Sequence, residues 1–360
     1  MHVEAVRYRD GAVEIIDQTL LPREYLVMRI TDLEVLCEAI RSLRVRGAPA
    51  IGVAAAYGLR LTAEQFEQGG HTDADALRRE LQAAASLLAA TRPTARNLFW
   101  ALERVTQVML ATPAPVAAIV GAVAAAATAV HEEDRAACAA IARHGAALLP
   151  QRARILTHCN AGALATGGMG TALGIVYAAA AAGKDVHVYA DETRPLLQGA
   201  RLTAWELERA GIPVTLLCDN AAAALLGRGA IDCAIVGADR IARNGDTANK
   251  VGTLSVALAA QRFGVPFYVA APSTTFDLSL ASGAEIPIEE RAAAEVDRAF
   301  GVRIAPDGIS IFNPAFDVTP ADLITAIVHE GGIVHPPFEE RLAASLAAIV
   351  NAASAAQRPR

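Results

Sequence analysis

The stretch ILTHCNAGALATGGMG, Ile155 to Gly170, decides the fold. A short β-branched run ends in His158, Cys159 and Asn160, and a loop of glycine and alanine then feeds an apolar helix. That is the layout found at the carboxyl end of a parallel strand, where open α/β sheets hold their ligands. The same rhythm continues after Pro150. ARILTH, DVHVYA, PVTLL, CAIVGA and PFYVAA are short β-branched runs with helical segments between them. Such alternation predicts a parallel sheet covered by helices on both faces. CAIVGADRI, Cys233 to Ile241, runs into Asp239, so Asp239 is expected at a strand end as Cys159 is, the two facing one substrate.

Before Pro150 the pattern differs. VEAVRY, the turn RDG and AVEIID read as a hairpin within residues 1–20. From about Asp32 to Leu149, alanine- and leucine-rich segments are separated by the turn signals RGAP (46–49), GGHTDAD (69–75), RPT (92–94) and TPAP (112–115), which predicts helices. A chain of 360 residues exceeds what one core usually holds. The expected organisation is α/β in two domains. Residues 1–149 form a hairpin and a mostly helical domain, and residues 150–350 form a Rossmann-like parallel sheet flanked by helices. After Leu342 an alanine-rich helix runs into a tail, residues 351–360, that frays at QRPR.

Apolar residues make up 53% of the chain and aromatics 5%, with alanine prominent, which favours helices packed close on a sheet. The net charge is −6 and no long basic block occurs, which argues against nucleic acid as a partner. The five cysteines (37, 138, 159, 218 and 233) are widely spaced in apolar segments. That is the pattern of reduced, cytoplasmic thiols rather than a disulfide framework. No CxxC or clustered His/Cys spacing occurs, so no metal is expected. MHVEAVRYRDG carries early charges and no apolar run, so it does not read as a secretory signal. Val105 to Val130 lacks charge, but Pro113 and Pro115 split it and alanine dominates its second half. A buried helix, not a membrane span, is expected there.

Cys159 stands in a polar loop ahead of a helix, a place that lowers a thiol's pKa and exposes its sulfur. The alternative is a small buried apolar side chain. Asp239 is either a cap or a partner of Arg240, or, in an apolar setting, a carboxyl kept protonated for use as a general acid. In NGDTANKVGTLSVALAA a turn leads into an apolar helix with Asn249 and Lys250 near its start. A lysine there opposes the helix dipole unless an anion docks at the neighbouring amides. RVRGAPAIG has similar logic. Pro49 is expected as the first helical residue, and Arg46 with the amides of Gly47 and Ala48 makes a second anion cradle.

The polar turn Asp191 to Arg194 precedes a helix expected to start at Pro195 with Gln198 on its first turn. Thr91-Arg92-Pro93 alone reads only as a turn. Gly168, Gly170 and Gly174, with Asp191 after the next strand, imitate a dinucleotide fingerprint, but HCNAGALAT separates the strand from the first of these glycines. The glycines are read instead as letting the backbone approach a small ligand and the helix lie close to the sheet.

RGAPAIG (46–52), THCNAGALATGG (157–168), YADETRPLLQGARLTAWEL (189–207), VGADRIARNGDTANKVGT (236–253), PFYVAAP (266–272), IPIEER (286–291) and NPAFDVTP (313–320) together resemble one family. It is that of the S-methyl-5-thioribose-1-phosphate isomerases, the aldose-1-phosphate isomerase branch of the translation initiation factor 2B-like superfamily. The resemblance runs from DQTLLP (17–22) to GGIV (331–334). It implies a catalytic cysteine at Cys159 and a proton-donating aspartate at Asp239. It implies substrate contacts at Arg46, Gly47, Ala48, Arg92, Gln198, Asn249 and Lys250. It also implies a homodimer, and neither a metal nor a redox cofactor, because the change in oxidation is internal to the sugar.

The implied reaction is isomerisation of S-methyl-5-thio-α-D-ribose 1-phosphate to S-methyl-5-thio-D-ribulose 1-phosphate in methionine salvage. Gly168-Met169 and Ala222 depart from the family's usual residues and bear on packing around the 5-substituent. Two other readings stand beside this one. The same chemistry could act on 5-deoxyribose 1-phosphate or ribose 1,5-bisphosphate. A non-catalytic regulatory subunit of the same superfamily would keep the fold, but would not need the cysteine, the aspartate and the phosphate-binding groups together.

Overall fold

The computed structural model describes residues 3–299 and 301–356. The chain divides into two compact units. The first runs to Ala139 and takes in Ala161–Gly174, and the second comprises Ala140–Asn160 and everything from Ile175. This differs from a single boundary at 149–150: the first crossing falls inside a long helix, and the loop after Asn160 packs with the first unit.

In the first unit, β1 (Val6–Arg9) and β2 (Ala12–Ile16) form the expected hairpin. Its turn residues, Asp10 and Gly11, both have left-handed φ (48° and 71°), as a tight two-residue turn requires. A third antiparallel strand, β3 (Val27–Ile30), adds to β2 and was not expected, because its largely exposed side chains give no alternation to read. Five helices follow: α1 (Leu33–Arg41), α2 (Ala48–Gln68), α3 (Ala74–Ala89), α4 (Arg96–Ala111) and α5 (Val116–Ala146). Asp32 and Asp73 each accept two amides at the starts of α1 and α3, the usual role of an N-terminal aspartate.

Helix α2 is the axis of this unit. Nearly every side chain from Ala48 to Ala63 is buried. Its small residues let neighbours approach, since a Cβ on Gly52 would lie 2.8 Å from the Asn97 carbonyl oxygen of α4. Leu59, Leu61, Leu88 and Leu98 fill the core around it. Each contributes about 1.5–3 kcal/mol on burial. Helix α5 has the length and hydropathy of a membrane span. Ile119, Val123, Ala127 and Val130 nevertheless pack into this core, so α5 is a core helix as expected. Pro49 is the second helical residue, not the first: Ala48 precedes it, and Gly47 (φ 93°) is the cap.

The loop 161–174 explains the glycines. A Cβ on Gly168 would lie 2.9 Å from the Cys138 Cβ of α5, and one on Gly167 2.6 Å from the His131 ring. The amides of Gly168 and Gly170 donate to the Thr166 hydroxyl at 3.2 and 3.1 Å. Gly167 and Gly168 therefore let this loop pack close on α5.

In the second unit the elements are β4 (Arg152–Thr157), α6 (Ala172–Ala181), β5 (Asp185–Asp191), α7 (Ala204–Arg209), β6 (Val214–Leu217), α8 (Ala222–Gly227) and β7 (Cys233–Val236). Then come β8 (Arg240–Ala242), β9 (Thr247–Lys250), α9 (Thr253–Arg262), β10 (Phe267–Ala270), β11 (Phe276–Asp277) and α10 (Ala294–Asp297). The last are β12 (Arg298–Ala299), β13 (Val302–Arg303), β14 (Phe316–Thr319), β15 (Ala326–His329), β16 (Gly332–Val334) and α11 (Phe338–Ala356). The expected fraying at QRPR lies outside the described residues.

The main sheet runs β6-β5-β4-β7-β10-β15-β16, parallel except for the β15–β16 pair. Taken in chain order, its parallel strands are arranged 3-2-1-4-5-6, so the winding reverses between β4 and β7. A second sheet, β11-β8-β9-β14, is inserted after β7, with β8 and β9 joined by the expected turn Arg243–Asp246.

Beyond β5 a π-helical turn, Gly199–Thr203, leads into α7. A Cβ on Gly199 would lie 1.6 Å from the Asp191 carbonyl oxygen, whereas one on Gly183 (φ 78°) would meet nothing within 4 Å. Gly199→Ala is therefore expected to cost about 3 kcal/mol through a forced backbone shift. Gly183→Ala should cost about 1–2 kcal/mol through its left-handed backbone alone. Urea midpoints of the two variants check the ranking; equal midpoints would refute it.

Candidate active site

Strands β4 and β7 are parallel neighbours, in register at Ile155↔Cys233 and Leu156↔Ala234. Cys159 lies two residues beyond the end of β4, and Asp239 three beyond the end of β7. Both follow the carboxyl ends of the two strands between which the sheet order reverses. Open α/β sheets leave their ligand crevice at that place.

Cys159 is half-buried between a buried histidine and a buried asparagine. Its backbone is left-handed, φ 66°. Its amide donates to the Thr193 hydroxyl at 2.8 Å, and its carbonyl accepts from the Thr203 hydroxyl at 2.6 Å. The Asn160 amide donates to Thr203 Oγ1 (3.2 Å) and Glu206 Oε1 (2.8 Å), and the Tyr177 hydroxyl donates to Glu206 Oε2 (3.1 Å). The buried Glu206 carboxyl thus has a hydrogen-bond donor on each oxygen, as a buried carboxyl requires.

The His158 ring is enclosed between two acceptors: Nδ1 lies 2.9 Å from Asp191 Oδ2, and Nε2 lies 2.9 Å from the Val251 carbonyl oxygen. Burial pulls the imidazole pKa down, but the hydrogen bond and charge of Asp191, with the Val251 carbonyl, outweigh it and leave the pKa raised. Burial also raises the Asp191 carboxyl, against the pull of His158. The two shifts describe one shared proton. The Val251 carbonyl requires a proton on Nε2, and the raised imidazole pKa favours a second proton on Nδ1, facing the Asp191 carboxylate. With Asp219 this pair forms a three-residue group whose ligand-type atoms lie within 4.8 Å of one another. Its hydrogen bonds are internal, since the Asp219 oxygens accept the amides of Thr193 and Arg194 at 2.7 Å each.

The amide of Asp239 donates to the Ala248 carbonyl at 2.9 Å, which ties it to β9 beside Asn249. Arg240 pairs with Asp277 at 3.3 Å. Asn249 and Lys250 end strand β9 and do not begin a helix, which corrects the expected placement. Both are buried. Lys250 Nζ donates to the Ala315 carbonyl at 2.5 Å and lies 4.9 Å from the Phe316 ring centroid. Asn249 donates to the Thr253 hydroxyl at 3.0 Å.

The amino end of α9 already has its anion. The Asp317 carboxylate accepts the amides of Gly252 (2.6 Å) and Leu254 (3.1 Å). Burial holds that carboxyl above the usual range even though the two amides oppose it. Lys250 is thus a strand cation rather than part of a helix-start cradle.

Pro195 lies in a turn, and regular helix does not begin there. The left-handed φ of Thr193 (64°) and Leu197 (59°) breaks the segment before Gln198. Gln198 is buried, and its Oε1 has no hydrogen-bond partner among the described residues.

The structure thus ties four second-unit segments together. Thr193 and Thr203 join the Gln198 segment to Cys159, His158 joins Cys159 to the segment after Lys250, and Ala248 joins Asp239 to β9. The first unit carries Arg46 and Gly47, half-buried, and Ala48, buried, at the start of α2, with Arg92 in the turn before α4. Sequence reasoning missed Thr193, Thr203, Glu206 and Asp317. Each contributes through a hydrogen bond to a residue far along the chain, and short-range spacing carries no signal for such a bond.

Comparison with known proteins agrees with this architecture. Residues 44–336 match the Initiation factor 2 subunit family, and the chain belongs to that family. A 5-deoxyribose 1-phosphate isomerase of Moorella thermoacetica is 55% identical over 96% of this chain and 98% of its own length. A methylthioribose-1-phosphate isomerase of Syntrophotalea carbinolica is 54% identical over 95% and 99%. The crystal structure of 5-methylthioribose 1-phosphate isomerase from Pyrococcus horikoshii OT3 superposes with a TM-score of 0.89, at 43% identity, covering 96% of each chain. The chain is accordingly an isomerase of the aldose–ketose kind.

The His158 pair carries a pH signature. Its imidazolium stabilises the fold fully below the ordinary histidine value of 6.5, and that contribution disappears as pH rises through the raised folded-state value. Asp191→Asn is expected to remove this slope and to lower stability by about 3–5 kcal/mol below pH 6.5, since it strips one partner from a buried pair. Urea midpoints followed from acid to alkaline pH check both. An unchanged slope in the variant would contradict the assignment of the proton.

Proposed function

We propose that the chain converts S-methyl-5-thio-α-D-ribose 1-phosphate to S-methyl-5-thio-D-ribulose 1-phosphate in methionine salvage. Asp239 is the acid that opens the ring, and Cys159 assists the transfer of hydrogen from C2 to C1. The observation that carries this reading is the position of Cys159 and Asp239 just beyond the ends of adjacent strands where the sheet reverses its order.

The C1 hydroxyl of the substrate is esterified, so the ring cannot open to a free aldehyde unaided. A proton must reach O4 as the C1–O4 bond breaks, and Asp239 supplies it. Hydrogen then moves from C2 to C1 while the C2 hydroxyl gives up its proton to solvent, balancing the one gained by O4, and becomes the ketone. In one route a Cys159 thiolate, beside the charged His158, takes the C2 proton, leaves an enediol-like phosphate ester and returns the proton to C1. In the other, hydrogen migrates with its electron pair directly to C1 and Cys159 steadies the charge around it. In both, the electrons lost by C2 are gained by C1.

Lys250 orients the phosphate, and the unpartnered oxygen of Gln198 accepts a sugar hydroxyl. Arg46, Gly47, Ala48, Arg92 and Asn249 are assigned to substrate binding on the family resemblance. The same resemblance assigns a homodimer, and the reduced-thiol composition a cytoplasmic setting.

The name of the Moorella relative favours a second reading with the same chemistry, 5-deoxyribose 1-phosphate as substrate. The two sugars differ only in carrying methylthio or hydrogen at C5. Comparing kcat/KM over a panel of pentose 1-phosphates decides between them.

Cys159→Ser and Asp239→Asn are each expected to lower kcat by about 10²–10⁴-fold. Substrate binding, measured separately by calorimetry, should stay within a few-fold. Near-normal turnover in either variant would remove that residue's role. Lys250→Met is expected to raise KM by roughly 10–100-fold through loss of a charged hydrogen bond. Deuterium from solvent appearing at C1 of the product would select the proton-transfer route.

A further inference from the structure

We infer that Thr193 and Thr203 are positioning residues that hold Cys159 in the strained backbone conformation from which its thiol acts. This rests on the reading of Cys159 as the reacting group. Among the described residues, five that are not glycine have left-handed φ, and three of them, Cys159, Thr193 and Leu197, lie on the loops beyond the paired strands β4 and β5. Side chains bearing a Cβ disfavour this conformation, a β-branched threonine most of all. It persists only where the surroundings over-determine it, and such residues gather at functional sites. A glycine at position 159 would adopt φ 66° without strain, but it would bring no thiol.

The surroundings here are two hydroxyls with no remaining freedom. Thr193 Oγ1 accepts the Cys159 amide (2.8 Å) and donates to the Asp191 carbonyl (3.1 Å). Thr203 Oγ1 donates to the Cys159 carbonyl (2.6 Å) and accepts the Asn160 side-chain amide (3.2 Å). Both threonines are fully buried. Thr193 is itself fixed by Asp219, which takes its amide at 2.7 Å. The peptide groups on both sides of the Cys159 Cα are thus held by side chains of one segment, 193–203, which also carries Gln198. Thiol and substrate-binding glutamine are set by the same loop.

The test uses Thr203→Val and Thr193→Val, with Thr203→Ser as the variant that restores the hydroxyl. The valine variants should lose about 10–100-fold in kcat, as expected for a misplaced reacting group, with KM within roughly threefold. Thr203→Ser should recover most of that loss. The rate at which iodoacetamide alkylates Cys159, followed by peptide mass spectrometry across pH, should shift its profile in the valine variants; a purely structural role would leave it unmoved. Cys159→Gly should melt about 2–4 °C above Cys159→Ala, because glycine releases the strain.

Wild-type kcat in Thr203→Val, alongside an inactive Cys159→Ser, would overturn the clamp and leave the role of Cys159 standing. Full activity in Cys159→Ser would overturn the reading beneath it. Should the valine variants fail to fold, the melting pair and Thr203→Ser carry the test: a glycine variant no more stable than the alanine variant refutes the clamp.

Discussion

The second unit is organised around one buried proton. His158 follows the strand that starts the sheet, and its ring joins the end of β5, through Asp191, to the loop between β9 and α9, through Val251. Three segments far apart in sequence therefore meet at a single imidazole. Charge buried at this depth is tolerated only when paired; both ring nitrogens have acceptors, while Asp191 Oδ1 has no hydrogen-bond partner among the described residues. The pair consequently fixes geometry more than it adds net stability. The fit is tight: a Cβ on Gly252 would lie 2.6 Å from the ring, so the loop reaches the histidine only because that position is glycine, at φ 107°.

Much of this was legible in the sequence. Short β-branched runs such as ARILTH and DVHVYA gave the parallel strands, and the alanine-rich segments between turn signals gave the helices. Two residue classes escaped. The short strand β3 owes its existence to a neighbour's open edge, which no local pattern records. Lys250 was placed on a helix because NKVGT precedes a long apolar helical run. In the fold, β14 pairs with that segment through Phe316↔Lys250 and Asp317↔Asn249, and tertiary pairing overrides local preference. The same strand brings Asp317 to the helix start, so the cap of α9 is supplied from more than sixty residues away.

The glycine loop after Asn160 teaches the opposite lesson. Its resemblance to a dinucleotide turn came from the spacing of Gly168, Gly170 and Gly174, with Asp191 after the next strand. Asp191, the residue that would have met a ribose, is closed off from solvent against His158. The glycines meet α5 and one another instead. A glycine-rich stretch states that something comes close to the backbone, and here that something is the protein itself.

The two groups proposed to react, Cys159 and Asp239, are braced in different ways, and the difference has consequences. Asp239 is held by a main-chain hydrogen bond to β9, part of a small sheet inserted directly after β7. Such a bond uses the backbone of position 239 and not its carboxyl. Cys159 is held by side chains, two threonine hydroxyls and the neighbouring His158, each of which depends on further partners. Its aim is therefore sensitive to substitutions in the loop beyond β5. A group that must only deliver a proton to a ring oxygen tolerates the looser dependence on its neighbours, because hydrogen bonds accept a broad range of directions. A group that manages transfer between adjacent carbons does not, since small displacements there cost orders of magnitude in rate. The distribution of strain follows that division: left-handed backbone is concentrated at the thiol and its supports, while Asp239 is not among the strained residues.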